Sequence, residues 1–288
     1  TKSEDNSELE DHAAASLVDF LVEPLNELEI RARIRTYLSV VHLQRTLRDE
    51  KDELLRMLQS VVPAEVIQRF LEGNIPRPRM VDNVLVMFID LVNYTKITQT
   101  HGSQFSFENL NTIFSAFDRI IDEFELECVK VIGDAYMIAG GVHKPLDYPD
   151  LRAVLAAFKM KEFLAFYNER FGQQLWKLRA GLYKGPVMAG LTRTRKMAFD
   201  LWGNTVNLAS RLESIGTAGM ITIGPSAYRI TKDMLKTTFI GERIIDNWGK
   251  MEVFNVTGWK EKTMPQELVE RYQALNVEDL LNELPIFP

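Results

Sequence analysis

Runs of apolar residues alternate with amphipathic stretches over most of the chain, and they predict interleaved strands and helices. Strands are predicted at 84–90, as a pair within 128–140 around "VIGDAY", and at 176–183, 186–190 and 195–201. Helices are predicted at about 104–124, 150–170 and 205–214, with shorter elements up to residue 256. The sequence "LYKGPV" indicates a hairpin turn and therefore antiparallel pairing. We therefore predict the α+β class, with one sheet covered by helices.

The N-terminal part follows a different pattern. Residues 1–16 are acidic and polar, and 20–22 are predicted to form a short apolar strand. A long predicted helix follows, with no Gly or Pro until Pro63. Apolar residues recur every seven positions in this helix, at Val40, Leu47, Leu54 and Val61. The second core position of the repeat is occupied by Leu43 and Met57, with the acidic Glu50 between them. This spacing predicts a short two-stranded parallel coiled coil and hence a dimer. A single amphipathic helix packed on its own domain is the alternative.

Composition and charge narrow the classes of partner and compartment. The 288 residues are 46% hydrophobic and 26% charged, as in globular proteins, and the formal net charge of −6 argues against nucleic acid as the main partner. Cys128 is the single cysteine, which excludes an internal disulfide and favours a reducing, cytoplasmic location. No apolar run approaches the ~20 residues that span a bilayer.

Two aspartates end predicted strands and raise a question about what neutralises them. Asp90 closes the apolar run of "VLVMFIDLVNYT", and Asp134 follows another apolar strand at a tight turn begun by Gly133. A buried carboxylate is costly unless a donor or a cation meets it. Two such carboxylates on adjacent strands could hold Mg²⁺ between them. The alternative is that Asp90 caps the next turn and that Asp134 is an ordinary turn residue.

A polar pair lies on the predicted helix that follows "FDLWG". Asn207 and Arg211 are spaced i, i+4 and therefore project from one helical face. An amide beside a guanidinium suits a ribose and an anionic phosphate. Alternatively, Arg211 pairs with Glu213 or another acid.

Three segments in this order and spacing resemble the class III nucleotidyl cyclase catalytic domain: "FIDLVNYT", "VKVIGDAYMIAGG" and "FDLWGNTVNLASRLES". The resemblance covers about 81 to 256. It implies a ferredoxin-like βαββαβ core with added C-terminal strands and a helix. It also implies a head-to-tail homodimer with active sites at the interface. The expected division of the chain is 1–27 polar tail and receiver-like remnant, 28–72 signalling helix, 73–80 linker, 81–260 catalytic domain and 261–288 C-terminal extension.

The same resemblance implies roles for individual residues. Asp90 and Asp134, with the backbone of Ile89, bind two divalent cations, Mg²⁺ or Mn²⁺. Asn207 orients the ribose, and Arg211 stabilises the transition state at the α-phosphate.

Phosphate contacts follow from the resemblance less directly. Backbone amides from Leu91 onward cradle the polyphosphate, with Asn93, Tyr94 and Thr95 among them, although the family often has glycine where Asn93 stands. A late "KGKG" turn that carries a phosphate-binding lysine in many members corresponds here to "DNWGKMEVF". Asn247 or Trp248 stands near the lysine position, and Lys250 is the expected substitute.

Lys130 and Asp200 occupy the two base-reading positions of the family. Adenine offers an acceptor at N1 and a donor at N6, which a lysine donor and an aspartate acceptor complement, whereas guanine presents the reverse pattern. ATP is therefore the predicted substrate and adenylate cyclase the predicted activity. An exposed strand lysine and a turn acid are the alternatives for these residues. For the protein, a non-catalytic dimerisation and signal-relay module and a guanylate cyclase are the alternatives.

A second, shorter resemblance concerns the start of the chain. "DFLVEPLNELEIRARIRTYLSVVHLQ" resembles the last strand and helix of a response-regulator receiver domain, with Glu23-Pro24 where that family has Lys-Pro. The chain also begins at Thr. We therefore expect an upstream regulatory domain in a longer protein, with the long helix as its transmitter.

Overall fold

A computed structural model describes residues 26–59, 64–72, 77–172, 174–193, 197–245 and 248–284. The chain divides into two compact units, Thr1–Ile67 and Gln68–Pro288. The predicted strand at 20–22, the dipeptide Glu23-Pro24 and Val61 lie outside the described residues.

The first unit consists mainly of one long helix. This helix, α1, runs over Glu27–Gln59, and a short helix, α2, over Ala64–Leu71 follows it into the second unit. Ion pairs at i, i+4 stabilise the first turns of α1: Glu27 with Arg31 at 2.7 Å and Glu29 with Arg33 at 2.8 Å. The long helix is confirmed. Leu43, Leu47 and Leu54 are exposed on the single chain, and the coiled coil stays a prediction.

The second unit is built on one eight-stranded sheet. Its strands are β1 (Arg79–Leu91), β2 (Glu127–Ile132), β3 (Ala135–Gly140), β4 (Leu178–Arg193), β5 (Met197–Trp202), β6 (Ile221–Ile223), β7 (Leu235–Ile245) and β8 (Gly249–Trp259). Their order is β2-β3-β1-β4-β6-β8-β7, and β5 pairs with β4. The β4–β6 pair is parallel, and the other pairs are antiparallel.

Helices separate these strands in the order of a ferredoxin-like core. They are α3 (Tyr94–His101), α4 (Ser103–Glu123), α5 (Pro149–Arg170), α6 (Asn204–Ser214), α7 (Pro225–Thr231), α8 (Gln266–Ala274) and α9 (Val277–Asn282). The first four strands with α4 and α5 give the βαββαβ order, and β4-β1-β3-β2 are adjacent in the sheet. The predicted α+β class and core are confirmed. None of the described helices combines the length and apolar character needed to cross a bilayer.

Strand β1 is an interior strand of this sheet, between β3 and β4, and from Val84 to Ile89 it is buried on both faces. Leu85, Met87 and Ile89 join the core that α4 and α5 cover. Val84 and Phe88, which are also buried, point to the opposite face because side chains alternate along a strand. Burial on both sides explains why the segment reads as a continuous apolar run.

Helix α6 packs on that opposite face, over glycines of β4. Gly181 lies opposite Phe88, and a Cβ built on it would stand 1.9 Å from the backbone nitrogen of Glu213 in α6. At Gly185 an added Cβ would stand 2.6 Å from Oγ1 of Thr205. A side chain at either position would therefore push α6 away from the sheet.

The hairpin predicted at "LYKGPV" is wrong, because these residues lie inside the continuous strand β4. The register between β1 and β4 shifts so that Asp82 and Asn83 lie opposite Pro186 alone, with Asn83 at a φ of 64°. Proline lacks an N–H and fits a strand at such a bulge. Gly185, which precedes this proline, allows α6 to pack closely on β4. Neither Gly185 nor Pro186 therefore marks a turn.

The C-terminal helices α8 and α9 complete the core of the second unit. Met264, Leu268 and Leu281 belong to the same buried cluster as β1 and α5. Arg152 of α5, with its side chain 5% exposed, contacts Glu125 at 2.6 Å and Glu267 of α8 at 3.2 Å. The segment after the last strand thus packs as part of this unit.

Candidate active site

The sheet brings the two predicted metal-binding aspartates to one edge. Asp90 lies near the end of β1, opposite Ala135 of β3, and Asp134 immediately precedes Ala135 in the β2–β3 turn. Gly133 has a φ of 65°, which favours glycine and makes this tight turn possible. The expected adjacency of the two strands and the turn at Gly133 are confirmed.

Asp90 is bonded to an arginine that is shared with a second acid. The Arg179 Nη2 donates to Asp90 Oδ2 at 3.2 Å, and its Nε donates to Glu213 Oε1 at 2.7 Å. Arg179 lies on β4 directly opposite Asp90. We call Asp90, Asp134, Arg179 and Glu213 the acidic cluster.

Negative charge exceeds positive charge in the acidic cluster. Burial raises the pKa of Asp90 to about 6, and repulsion from Glu213 and Asp134 adds to the rise, while Arg179 opposes it. An ionised Asp90 is therefore poorly compensated by the protein alone. A bound cation would relieve that cost.

The acidic cluster fits divalent cations that keep ligands from outside the protein. Mg²⁺ prefers oxygen ligands and is usually held by one or two carboxylates, with water and phosphate completing its shell. Among the described residues, no group of three or more His, Cys, Asp or Glu side chains is arranged to hold a metal by itself. Asp90 and Asp134 thus suit a metal that arrives with phosphate oxygens.

The segment after Asp90 turns directly into a helix that the sequence analysis missed. Asn93 adopts the left-handed conformation, with a φ of 64° and a ψ of 19°, and α3 begins at Tyr94. Asparagine tolerates this conformation better than most residues, which explains how it stands where glycine is common. The first N–H groups of a helix lack partners within it and attract anions. Tyr94 and Thr95 supply such groups close to Asp90.

The predicted face of α6 is confirmed as exposed, with both residues on it. Leu208 and Leu212 are buried against the sheet, whereas Asn207 and Arg211 are exposed. Glu213 pairs with Arg179, and within the described residues no acid lies at ion-pair distance from Arg211. The alternative that Arg211 pairs with Glu213 is therefore wrong.

Lys130 and Asp200, seventy residues apart in sequence, meet in the folded chain. The Lys130 Nζ donates to Asp200 Oδ2 at 2.7 Å, and the side chains are 34% and 18% exposed. The other oxygen of Asp200 accepts a hydrogen bond from the backbone N–H of Leu201 at 2.8 Å. The fold thus places a donor and an acceptor side by side, both within reach of solvent.

Lys250 lies apart from the acidic cluster within one chain. It stands on β8, two strands away from β4, with its Nζ 3.6 Å from Glu242 Oε2 across the β7–β8 pair. Its side chain is 73% exposed. Of the two residues near the expected lysine position, Asn247 lies outside the described residues and Trp248 immediately precedes β8.

Arg179 was missed by the sequence analysis, and Glu213 was considered only as a partner for Arg211. The available signal was one arginine within the segment "LRAGLY", two residues before Gly181. That signal becomes specific only when β4 is known to pair with β1, because the pairing brings Arg179 opposite Asp90.

Comparisons with known proteins agree with this geometry. A family model described as the adenylate and guanylate cyclase catalytic domain matches residues 77–258. The rat guanylate cyclase soluble subunit alpha-1 is 32% identical over 192 residues, which cover 67% of this chain and 28% of that protein. An adenylate cyclase of Mycobacterium bovis is 32% identical over 223 residues, which cover 76% of this chain and 49% of that protein. The chain thus spans less than half the length of these relatives.

A solved structure extends the likeness to three dimensions. The guanylate cyclase domain of RhGC from Catenaria anguillulae, crystallised with GTP, superposes with a TM-score of 0.59 at 30% identity. The match covers 63% of this chain and 100% of that one. The similar proteins thus include both adenylate and guanylate cyclases, and likeness alone leaves the purine undecided.

Proposed function

The chain belongs to the family of adenylate and guanylate cyclase catalytic domains, and on that premise we propose that it is an adenylate cyclase, a lyase that converts ATP into cyclic AMP and pyrophosphate. The observation that carries the choice of ATP is the contact between Lys130 and Asp200. The ammonium group would donate to N1 of adenine and the carboxylate would accept from its N6 amine. Guanine offers a donor at N1 and an acceptor at O6 and would leave both side chains mismatched, which strongly disfavours binding.

Asp90 and Asp134, with the backbone carbonyl of Ile89, would hold divalent cations, and class III cyclases generally use such ions. Bound Mg²⁺ or Mn²⁺ would supply Lewis-acid stabilisation of the phosphate oxygens and would ease loss of the ribose 3′-hydroxyl proton. The charge excess in the acidic cluster supports this assignment.

The remaining residues position the nucleotide and neutralise charge. Asn207 would orient the ribose, and Arg211 would stabilise the charge that develops at the α-phosphate as the 3′-oxygen attacks. Arg179, released from Asp90 when cations bind there, would be free to donate to a phosphate oxygen. The backbone N–H groups of Asn93, Tyr94 and Thr95 would bind the polyphosphate. Lys250 would make a weaker contact with the terminal phosphates.

A homodimer is part of this proposal. Cyclase domains of this family work as dimers on a nucleotide substrate. The Lys130–Asp200 pair and the exposed face of α6 would come from one protomer and the acidic cluster from its partner. Since one chain contains all of these residues, a twofold dimer would form two equivalent sites. The coiled coil predicted for α1 and an upstream regulatory domain would set the approach of the protomers.

The test is to incubate the full chain with ATP or GTP, with Mg²⁺ or Mn²⁺, and to measure cyclic nucleotides, with the dimer verified by light scattering. Cyclic AMP should be the main product. The double variant Lys130→Glu with Asp200→Ser should shift the preference toward GTP.

Two results would contradict the proposal. Cyclic GMP as the main product of the unmodified chain would reassign the substrate. Nucleotide binding by a dimer without turnover would favour a signal-relay module.

A further inference from the structure

His143 is a mostly buried histidine that contacts two strands at once. It lies in the loop between β3 and α5, and its side chain is 11% exposed. Its Nε2 stands 3.1 Å from Oε2 of Glu127 on β2. Its ring lies on Phe199 of β5, with 5.0 Å between the ring centroids and 40° between the planes.

The two contacts of His143 lie next to the proposed base-reading residues. Phe199 immediately precedes Asp200 on β5. Glu127 pairs with Ala139 and Lys130 with Met137, so Val129 is an extra residue that forms a bulge. Because Ala139 and Met137 are two residues apart, this bulge places Glu127 and Lys130 on the same face of β2. Glu127 therefore stands about 7 Å along the strand from Lys130.

Within the described residues, β5 is hydrogen-bonded in the sheet to β4 alone, so the spacing between β2 and β5 depends on side chains. In the described part of the chain, two polar or aromatic links lead from β2 to β5. One is the direct Lys130–Asp200 ion pair. The other runs from Glu127 through His143 to Phe199.

Binding of a purine would remove one of these two links. If Lys130 and Asp200 donate to and accept from adenine, their ion pair must open when the base enters. The link through His143 does not involve the base and stays in place. It would then be the contact that holds β5 at a fixed distance from β2.

We propose that His143 is a positioning residue for purine recognition, which holds β5 against β2 so that Lys130 and Asp200 stand at the separation that adenine requires. This inference rests on the proposed function, since it takes those two residues as the base readers. The Nε2 of His143 is buried and makes no hydrogen bond within the described residues, so its contact with Glu127 is a close polar approach at 3.1 Å. The imidazole thus brings a polar nitrogen to β2 and an aromatic face to β5.

The test is equilibrium binding of α,β-methylene ATP and α,β-methylene GTP to the full chain with Mg²⁺, measured by calorimetry. These analogues block release of pyrophosphate, so binding is separated from turnover. His143→Phe keeps an aromatic ring on Phe199 and removes the nitrogen that approaches Glu127. We expect this variant to lose about tenfold in the ratio of ATP-analogue to GTP-analogue affinity, because a loosened pair discriminates less well.

Matched variants separate positioning from general damage. His101→Phe removes another histidine that stacks on a phenylalanine, Phe105 at 5.0 Å, away from this region, and should leave the ratio unchanged. Lys130→Ala should lose the preference for the ATP analogue. Glu127→Ala breaks the same link from the other side and should lower the ratio in the same direction, and it replaces His143→Phe if that variant does not fold.

The outcomes are distinguishable. An unchanged ratio in His143→Phe and Glu127→Ala, with a lost preference in Lys130→Ala, overturns the inference and leaves the proposed function standing. A lower melting midpoint with equal weakening of both analogues assigns His143 a purely structural role and also overturns it. An unchanged ratio in Lys130→Ala overturns the base assignment and this inference together.

Discussion

The acidic cluster and the Lys130–Asp200 pair are both charged sites, but they differ in whether the protein satisfies them. In the acidic cluster, burial and neighbouring acids raise the pKa of Asp90 to about 6 despite the contact with Arg179. In the Lys130–Asp200 pair, one cation meets one anion at 2.7 Å. The first site gains stability when a cation is added, whereas the second must give up an existing contact to bind a base.

This difference separates the two demands on a cyclase active site. Removing the buried, poorly compensated charge of Asp90 should lower activity and at the same time increase the stability of the metal-free fold. Opening the Lys130–Asp200 ion pair costs free energy. Only a base whose donors and acceptors match both side chains offsets that cost. The acidic cluster is therefore expected to respond to metal ions and pH, and the pair to the identity of the purine.

The variant Asp90→Asn should have the largest effect, and it tests whether the acidic cluster binds metal ions. We expect roughly a thousandfold lower cyclase activity, because a metal that stabilises phosphate charge is worth several kcal/mol. The metal-free variant should nevertheless melt at a higher temperature near neutral pH. The reason is that a raised pKa means that the ionised form of Asp90 destabilises the folded state above that pKa.

Activity assays and thermal melts without metal check both parts of this prediction. Asp122→Asn is the matched control, since burial also raises the pKa of this α4 carboxyl, which lies outside the cluster. Full activity in Asp90→Asn would end the metal assignment.

Arg211→Ala should have the next largest effect. Removing one preorganised donor to a developing charge costs about 10²–10³ in kcat, with little change in KM. The melting midpoint should hardly move, because Arg211 is exposed and surface substitutions usually change stability by less than ~0.5 kcal/mol. Steady-state kinetics of Arg211→Ala measures the loss in kcat. The control is Arg229→Ala, which removes an exposed arginine on α7. Equal losses in both variants would contradict a specific role for Arg211.

The pH dependence of metal binding tests the acidic cluster alone. Below pH 6 the carboxyl of Asp90 is increasingly protonated, since its pKa is raised to about 6. A single competing proton should weaken the apparent Mn²⁺ affinity about tenfold for each pH unit below that value. Because this pKa is raised on folding, the metal-free protein should also lose stability as the pH rises from about 4 to about 6 and Asp90 ionises. Mn²⁺ titrations between pH 5 and 7.5 measure the first effect, and an affinity that is constant over this range would contradict it.

Lys250→Ala should have the smallest effect. The lysine is 73% exposed, and its one ion pair within the described residues is with Glu242 at 3.6 Å. Exposed pairs contribute about 0–1 kcal/mol. We expect the KM for ATP to rise less than about threefold. Lys236→Ala, on the neighbouring strand β7, is the control. A much larger increase in KM would show that Lys250 reaches the terminal phosphates from the partner protomer.

Several elements that carry the candidate site were predicted correctly from local sequence patterns. The apolar run ending at Asp90, the turn at Gly133 and the helix that presents Asn207 were all found, because each depends on periodicity or on glycine conformation. Helix α3 was missed, because it has only eight residues, closely follows the strand, and buries Ile97 alone, so it offers few apolar positions to form a pattern. Gly185 and Pro186 were interpreted as a turn, although α6 requires the glycine and a bulge in β1 accommodates the proline.

By itself, the sequence determined most of the order of strands and helices, the two aspartates at strand ends and the polar face of α6, since these follow from side-chain periodicity over a few residues. Only the tertiary structure decided that Arg179 and Glu213 surround Asp90, that Lys130 meets Asp200, and that His143 bridges β2 and β5. Each of these contacts joins residues far apart in the chain, and strand pairing across the sheet, rather than any local preference, brings their charges together.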